Sequence, residues 1–306
     1  MDQNQGNMQM QPQMQQQMQQ PAGQPMQQVQ QQVGQPMQQG FTPSYVQVPY
    51  QPEAMVTTDY ASLKPQFQNV VSGNVVEIAH VKKGYGKTKR VFEDLNLQIP
   101  AGKIVGLLGP NGSGKTTMIK MLSGLLAPEA GDITIAGLPV GHQSKGVVAY
   151  LPERTYFNEG LKVKEIVGIF RDFYQDFDEP KAYQMMNQLN IDPNIQLKKL
   201  SKGNKEKVQL IMVMSRHAKL YLLDEPIAGV DPAARDFILR TILKNYDANG
   251  TILISTHLIQ DVEAILDDVI MIREGQIVVH QDADSLRAQQ GKSIDEIFRE
   301  VFRYVG

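Results

Sequence analysis

The sequence predicts an α/β protein in which short buried strands alternate with helices. This prediction rests on apolar runs of strand length, on the glycine or polar residue that ends each run, and on helical periodicity between them. The strand-like runs are residues 104–108, 221–223 and 251–254. The helical patterns cover residues 163–174, 207–215 and 233–246. Ligands of such sheets bind at the carboxyl ends of the strands, where these polar residues fall.

Two more strand-like stretches and a tail of different composition precede these runs. Residues 75–81 and 91–99 are separated by a turn rich in glycine and lysine. Residues 1–73 begin with a stretch of glutamine, methionine and proline that is almost free of charge. Such a segment buries too little apolar surface to offset its ordering entropy, so we expect a disordered tail. Copper(I) binding by methionines such as Met8 and Met10, and self-association through the glutamines, stay open as alternatives.

Composition and charge exclude several classes of protein. The chain has 306 residues, a net charge of -2 and no cysteine, so neither a disulfide framework nor a thiolate zinc site can form. The nearly even charge argues against a nucleic-acid partner. No stretch approaches the roughly 20 apolar residues of a membrane span, and the first basic residue is Lys64, unlike a secretory signal. We therefore expect a cytoplasmic chain that reaches a membrane only through a partner.

Residues 109–116 match the phosphate-loop pattern G-x-x-x-x-G-K-[ST]. The loop follows a strand-like run and precedes an apolar helical stretch, which is the context that the motif requires. Its glycines let backbone N–H groups face the phosphates, Lys115 would reach the β- and γ-phosphates, and Thr116 would hold Mg²⁺. The residues predicted to bind the nucleotide here are Gly109, Pro110, Asn111, Gly112, Ser113, Gly114, Lys115, Thr116 and Thr117.

Two adjacent acids, Asp224 and Glu225, end the apolar run 220–223. Neighbouring residues of a strand point to opposite faces, so the two carboxylates cannot share one task. We expect Asp224 to bind the water shell of Mg²⁺ and Glu225 to polarise an attacking water. Two solvated acids at a strand end are the alternative interpretation, which the phosphate loop upstream disfavours.

Four further motifs, taken in order along the chain, resemble those of ABC transporter ATP-binding subunits. Tyr85 resembles the aromatic residue that stacks on adenine in that family. Residues 200–204, Leu-Ser-Lys-Gly-Asn, resemble the signature Leu-Ser-Gly-Gly-Gln at a helix start. Asp231 resembles the aspartate of the D-loop, and His257 the switch histidine. No single motif is specific, but their order identifies the family over residues 75–280, with stand-alone subunits of bacterial exporters as the nearest likeness.

The chain departs from the family pattern at three positions. Lys202 replaces the first signature glycine and Asn204 the glutamine, while Ser201 and Gly203 are kept. Glu153 stands at the glutamine position of the Q-loop, where a carboxylate can still contact the water shell of the metal. Similar variants occur in exporter-type subunits, so the resemblance still implies an active ATPase.

The resemblance implies a fold and a domain organisation. It implies a P-loop NTPase of the ABC type, with a RecA-like core, an antiparallel β subdomain and a helical subdomain. The expected divisions are a disordered tail over 1–73, the ATP-binding domain over 74–280 and a short helical extension over 281–306. The helical subdomain is expected at about 154–200.

The resemblance also implies a head-to-tail dimer with ATP and Mg²⁺ between two subunits. Lys115 would contact the nucleotide from one subunit, and Ser201 and Gly203 from the other. Asp231 would link the two sites. The implied catalytic residues are Lys115, Glu225 and His257. The implied metal site consists of Thr116, Asp224 and Glu153, and Tyr85 would stack on the base.

The implied function is ATP hydrolysis that drives a separate transmembrane permease, in the direction of export, from the inner face of the cell membrane. The partners are then the permease subunits and a second, identical or related, ATP-binding subunit. A soluble ABC ATPase of translation or DNA maintenance is the main alternative. Those proteins carry two cassettes, long coiled coils or cysteine zinc sites, which this chain lacks.

Overall fold

The computed structural model describes residues 59–64, 73–86 and 89–303. The predictions of copper binding and self-association fall outside these residues. Ala61–Leu63 form one turn of 3-10 helix, Tyr60 Oη donates a 2.7 Å hydrogen bond to Asp236, and Leu63 packs against the core. This short segment lies within residues 1–73, the range of the predicted tail.

The strands of the described residues form two sheets. They are β1 (Asn74–Tyr85), β2 (Lys89–Pro100), β3 (Ile104–Leu108), β4 (Ala130–Ile135), β5 (Leu138–Pro139), β6 (Val148–Leu151), β7 (Leu220–Asp224), β8 (Thr251–Thr256), β9 (Asp268–Arg273) and β10 (Gln276–Asp282). The four-stranded sheet is antiparallel with the order β2-β1-β4-β5. The six-stranded sheet has the order β10-β9-β3-β8-β7-β6 and is parallel except for the edge strand β10.

The helices connect these strands. They are α1 (Lys115–Leu122), α2 (Val163–Phe173), α3 (Glu179–Gln188), α4 (Lys202–Met214), α5 (Pro232–Asn245), α6 (Ile259–Val262), α7 (Ala283–Gln290) and α8 (Ile294–Val301). Asp178, Ser201, Asp231 and Ser293 each begin a helix by accepting a hydrogen bond from a backbone N–H of its first turn. No helix in the described part of the chain has both the length and the apolar character that a bilayer crossing requires.

The six-stranded sheet divides two apolar cores, because alternate side chains of its strands point to opposite faces. Tyr221 and Leu223 of β7 belong to the core that the helices α2 to α5 cover. Leu220 and Leu222 belong to the other core, which includes α1 and the four-stranded sheet. Helix α1 therefore lies between the two sheets, and its N-terminus faces the carboxyl edge of the parallel strands.

A buried arginine joins the helices α2 and α3 to the parallel sheet. Arg216 forms a bidentate ion pair with Asp176 at 2.9 and 3.0 Å and donates to the backbone oxygens of Val148 (2.6 Å) and Gly146 (2.8 Å). Its guanidinium lies 3.8 Å from the centre of the Tyr174 ring. These contacts fix the helices between β6 and β7 relative to the strands that carry the predicted catalytic acids.

The observed architecture confirms the predicted α/β class, including the antiparallel β layer and the helical layer. Each apolar run singled out in the sequence is a strand of one of the sheets. The pairing of β9 with β10 at the edge of the larger sheet was not predicted. In β10, residues alternate between exposed and half-buried, so the strand lacks the continuous apolar run that marks the central strands.

Candidate nucleotide-binding and catalytic site

The loop between β3 and α1 has a backbone conformation that residues other than glycine rarely adopt. Gly112 and Gly114 have φ angles of 82° and 115°, in the left-handed region that favours glycine. A Cβ atom at Gly114 would also lie 2.8 Å from the ring of Phe92, and one at Gly109 would lie 2.5 Å from the backbone oxygen of Ile272. The predicted phosphate loop is thus a tight turn that packs closely against β2 and β9.

Lys115 turns its buried amine back into this loop. Its Nζ donates to the backbone oxygens of Gly109 at 2.6 Å and Pro110 at 3.3 Å. Burial lowers the pKa of Lys115, while the nearby carboxylates Glu225 and Asp224 act in the opposite direction. A cation held only by neutral carbonyl oxygens and by neighbouring acids can exchange the carbonyl contacts for an anionic ligand.

Ser113 supplies an unpaired polar atom in the same loop. Among the described residues, its Oγ is one of two buried side-chain oxygens without a hydrogen-bond partner, the other being that of Tyr246. Buried polar groups are rarely left unpaired. The loop therefore has an unused hydroxyl, a buried ammonium and a helix N-terminus side by side, which fits the charge and donor pattern of a polyphosphate.

Asp224, at the end of β7, is buried among hydroxyl groups. Its Oδ1 accepts hydrogen bonds from Ser255 Oγ at 2.7 Å and from Thr116 Oγ1 at 3.3 Å. Burial raises the pKa of Asp224, and the hydrogen bonds from Ser255 and Thr116 act to lower it. A carboxylate and a threonine hydroxyl this close form the oxygen donor set that Mg²⁺ prefers.

Glu225 lies beside Asp224 but faces a different environment. Its φ of 51° is unusual for a residue with a side chain. Its N–H donates to the backbone oxygen of Ser255 at 3.0 Å, which holds this turn. The carboxylate contacts His257, with 3.0 Å between Glu225 Oε2 and His257 Nδ1, and is 11% exposed. The strand end thus divides its two acids between a buried position and a position that water can reach.

Glu153 lies just after β6, which is the edge strand that pairs with β7. Its backbone neighbour Pro152 accepts a 3.1 Å hydrogen bond from Gln209 Nε2, and Gln209 is a buried residue of α4. Glu153, Gly203 and Glu225 line one cleft between the strand ends and the helices α4 and α5. The electrostatic effect of Glu153 on Asp224 also contributes to the raised pKa of Asp224.

Tyr85 lies at the tip of the β1–β2 hairpin, near the first turn of α1. Its ring is 46% exposed, and its Oη lies 3.3 Å from Thr117 Oγ1. The aromatic face is open to a stacking partner, and the hydroxyl contact with Thr117 connects the hairpin tip to the helix that begins at the phosphate loop.

The remaining predicted residues do not hydrogen-bond with this cluster. Ser201 Oγ accepts from Asn204 N at 3.3 Å, and Asp231 Oδ1 accepts from Ala234 N at 3.0 Å, so both side chains cap their own helices. Lys202 is 82% exposed and lies 3.8 Å from Glu206. The N-terminus of α4 is therefore a solvent-facing end that the described residues leave uncovered.

Two residues of the site were not singled out from the sequence. Ser255 binds Asp224 through its hydroxyl and Glu225 through its backbone oxygen, so it aligns both acids. Gln209 fixes the segment that carries Glu153. Ser255 could be noticed as a polar residue that ends an apolar strand, whereas Gln209 lies in a helical run where nothing local indicates its partner.

The fold and the arrangement of Lys115, Thr116, Asp224 and Glu225 define a phosphate-loop NTPase. The chain belongs to the family of ABC transporter ATP-binding proteins, whose members bind and hydrolyse ATP. A family model described as ABC transporter matches residues 92–228.

This chain covers most of the length of two relatives that are more than 30% identical to it. The lipopolysaccharide export system ATP-binding protein LptB of Escherichia coli (strain K12) is 31% identical, over 66% of this chain and 88% of LptB. The SkfA peptide export ATP-binding protein SkfE of Bacillus subtilis (strain 168) is 33% identical, over 76% of this chain and 97% of SkfE. A solved structure described as an ATP-binding subunit of an ABC transporter superposes with a TM-score of 0.67 at 28% identity, covering 74% of this chain and 98% of the other. These similarities confirm the predicted family and ATPase activity.

Proposed function

We propose that this chain binds MgATP between two ATP-binding subunits and that hydrolysis at this site drives export through a separate membrane permease. The observation that carries the proposal is the convergence of Lys115, Thr116, Asp224, Glu225 and His257 at one edge of the parallel sheet. The proposal takes residues 74–280 as the ATP-binding domain, with its helical subdomain at about 154–200 and a helical extension after it.

The phosphate loop would hold the triphosphate through groups that, without a nucleotide, contact only neutral carbonyl oxygens or have no hydrogen-bond partner among the described residues. Lys115 Nζ would leave the carbonyl oxygens of Gly109 and Pro110 for β- and γ-phosphate oxygens, with a net gain of charge pairing. Ser113 Oγ would gain its missing partner. The backbone N–H groups from Gly112 to Thr117 would complete the cradle with the N-terminus of α1.

Thr116 and Asp224 would hold Mg²⁺, and Glu153 would contact its water shell. When bound, the ion supplies positive charge that offsets the charge developing on the phosphates. The support for this assignment is the oxygen chemistry of the pair and the hydroxyl of Ser255, which keeps Asp224 in place.

Glu225 is the group best placed to accept the proton of the attacking water. As the water oxygen forms its bond to the γ-phosphorus, the bond from that phosphorus to the bridging oxygen breaks, and the proton passes to the Glu225 carboxylate. His257 orients this carboxylate through the 3.0 Å contact and would itself reach the γ-phosphate. The products are ADP and inorganic phosphate.

The second subunit would supply the N-terminus of α4. That end is exposed, Ser201 caps the helix, and, apart from the adjoining backbone of α4, no atom of the described residues lies within 4 Å of a Cβ placed at Gly203. A helix N-terminus with an open glycine can approach a γ-phosphate and stabilise it by N–H groups and by the helix dipole. Asp231, exposed at the start of α5, would bridge the two sites.

An exposed aromatic surface next to the cleft supports docking to a permease at the inner face of the membrane. Phe173 is 79% exposed, Tyr156 57% and Ile169 42%, and Ile169 and Phe173 share one face of α2. Exposed apolar residues that group together commonly mark a protein interface. The relatives named for lipopolysaccharide export and peptide export support export as the direction. A role in translation or DNA maintenance is not favoured by these relatives.

Co-purification from membranes of the source cells tests the permease. We expect the tagged wild-type chain to retain a protein with several membrane spans. An Ile169→Ser/Phe173→Ser variant should lose that protein while hydrolysing ATP normally in isolation. Leu125→Ser, which alters a different exposed apolar residue (63%) outside α2, is the matched control and should retain it. Recovery of ribosomes or DNA instead of a membrane protein would contradict the proposal.

A further inference from the structure

Glu129 is an exposed carboxylate that holds the end of the hairpin carrying Tyr85. Backbone pairing between β1 and β4 ends at Lys82 and Ala130, and Glu129 N–H donates to the backbone oxygen of Lys82 at 2.8 Å. Beyond this point β1 has no neighbouring strand on that side among the described residues. The Glu129 side chain continues the interaction by accepting the N–H of Gly84 at 3.0 Å.

The other carboxylate oxygen of Glu129 holds the second strand of the same hairpin. Glu129 Oε2 accepts a hydrogen bond from Arg90 at 2.5 Å, and Arg90 is the backbone partner of Gly84 across the hairpin. One carboxylate therefore binds both members of the pair that directly precedes Tyr85. The hydrogen bond and the ion pair with Arg90 lower the pKa of Glu129 from the ordinary value of a glutamate.

The base of the hairpin is fixed separately. Phe92 of β2 is buried, and its ring occupies the space that a side chain at Gly114 would need, so this part of the hairpin packs on the phosphate loop. With the base fixed at the phosphate loop, the contacts of Glu129 hold the direction of the tip, together with the hydrogen bond from Lys83 Nζ to the backbone oxygen of Ala127 (2.8 Å) and the contact between Tyr85 and Thr117. That direction sets the distance between the Tyr85 ring and the phosphate loop.

The exposure of the Arg90–Glu129 pair indicates that it orients the hairpin tip and adds little to the free energy of unfolding. The side chains of Arg90 and Glu129 are 58% and 42% exposed, and exposed ion pairs contribute little to the free energy of unfolding. Loss of the pair should leave the fold unchanged. It should, however, broaden the positions of the hairpin tip, and a stacking contact made by an ordered ring loses affinity when that order must be created on binding.

We propose that Glu129 is a positioning residue for the nucleobase: by binding Gly84 N–H and Arg90 together, it presents the Tyr85 ring for stacking. This inference rests on the proposed function, in which Tyr85 stacks on the base. Glu129 itself does not touch the nucleotide. Its effect should therefore appear only with ligands that have a base.

Titration of the full chain with MgATP and with magnesium tripolyphosphate, which has no base, tests the proposal. Tyr85→Ala should weaken ATP binding by about fivefold or more, the usual size of aromatic–base stacking. Glu129→Ala should weaken ATP binding by about threefold or more, with kcat unchanged and tripolyphosphate binding unchanged. Glu129→Gln, which keeps an oxygen acceptor for Gly84, should lie between Glu129→Ala and the wild type. Glu300→Ala removes the exposed Lys292–Glu300 pair (40% and 47% exposed) and should have no effect.

The double variant Tyr85→Ala/Glu129→Ala decides whether Glu129 acts through Tyr85. If it does, the double variant binds ATP no more weakly than Tyr85→Ala alone, because coupled residues are not additive. Equal loss of ATP and tripolyphosphate affinity in Glu129→Ala would overturn the inference, as would unchanged ATP affinity beside a weakened Tyr85→Ala. Unchanged ATP affinity in Tyr85→Ala would instead remove base stacking from the proposed function, and the inference with it.

Discussion

Asp224 is a buried acid whose ionised form lowers the stability of the fold but suits the proposed metal site. The fold buries its carboxylate at the end of β7, and burial raises its pKa although Ser255 and Thr116 donate hydrogen bonds to it. A raised carboxyl pKa means that the folded chain binds the proton more tightly than the unfolded chain does. The contribution of this group to stability is then full below the unfolded pKa and is lost as the pH rises through the folded pKa. At neutral pH the ionised Asp224 is destabilising unless a cation binds.

Asp224→Asn should therefore stabilise the nucleotide-free chain at pH 7. The amide oxygen can still accept from Ser255 and Thr116, so the expected gain is about 2–4 °C in Tm for each kcal/mol that is relieved. The gain should shrink as the pH falls towards 4. Added MgATP should raise the Tm of the wild type more than that of the variant. Thermal unfolding at several pH values measures this, and a lower Tm for Asp224→Asn at pH 7 would contradict it.

Glu225 is the residue on which turnover depends in the proposed mechanism. Glu225→Gln keeps the size of the side chain but cannot take a proton, so we expect ATP binding to be retained and the hydrolysis rate to fall by about 10²–10⁴-fold. Phosphate release and a nucleotide titration measure the two quantities. Glu206→Gln alters another acid of the same cleft and serves as the control, with turnover near that of the wild type. Near-normal hydrolysis by Glu225→Gln would remove this residue from the role of base.

At the residue scale, the sequence alone indicated the residues of the proposed chemistry but not the residues that hold them in position. The phosphate loop and the acid pair could be recognised because their residue types are required by their ligands. Gln209 and Glu129 could not, because each acts through a partner far away in the sequence, and Ser255 could be noticed only as a polar residue at a strand end, without its partners. Their contacts arise only when strands and helices pack.

At the element scale, Arg216 determines how the helical layer is attached to the sheet. Arg216→Ala would leave Asp176 without its ion pair with Arg216 and would remove the Arg216 donor from two backbone oxygens, in a position where Arg216 itself is buried. Removing one partner of a buried ion pair typically costs about 3–5 kcal/mol of unfolding free energy. Arg216→Lys should not rescue the loss, because an ammonium cannot reproduce the planar set of donors.

Urea unfolding measures this cost, and the chain offers a matched control. Arg171 also forms ion pairs with two acids, Asp172 and Glu179, but it is 54% exposed. Arg171→Ala should change the unfolding free energy by no more than about 0.5 kcal/mol. A similar small change for Arg216→Ala would contradict the assigned role.

The elements themselves were predictable to different degrees. Strands β3, β7 and β8 are fully buried, so their continuous apolar runs marked them in the sequence. Strand β10 is half exposed at a sheet edge, and the turn at 61–63 is too short for any periodicity. Hydrophobic pattern predicts elements that are buried along their whole length and misses those whose order depends on one or two tertiary contacts.

At the scale of the whole molecule, the proposed site has two parts, which are the phosphate loop with its acids and the exposed start of α4. The phosphate loop and the acids share hydrogen bonds or electrostatic contacts, whereas Ser201 and Gly203 lie at an exposed helix start. No sequence pattern taken alone predicts that a second subunit completes the nucleotide site. The order of the motifs implied it only through the resemblance to ABC subunits, which the comparisons confirm at the level of the family.

Mixing two inactive variants tests the composite site most directly. Lys115→Ala disables the phosphate loop. Gly203→Asp places a negative charge at the start of α4, where the helix dipole favours it. Apart from the adjoining backbone of α4, no atom of the described residues lies within 4 Å of a Cβ at this position, so the subunit should fold but repel a partner's γ-phosphate. A mixture of wild type and Lys115→Ala calibrates the turnover of dimers that have one intact site.

If the site is shared, a dimer of the two variants has one site with intact Lys115 and intact Gly203, and an equal mixture should regain ATP hydrolysis from roughly a quarter of its sites. If the two residues belong to one subunit's site, every site in the mixture remains damaged. Recovered hydrolysis is the result that we predict. A mixture as inactive as its components, beside a calibration showing that one intact site turns over, would contradict the account.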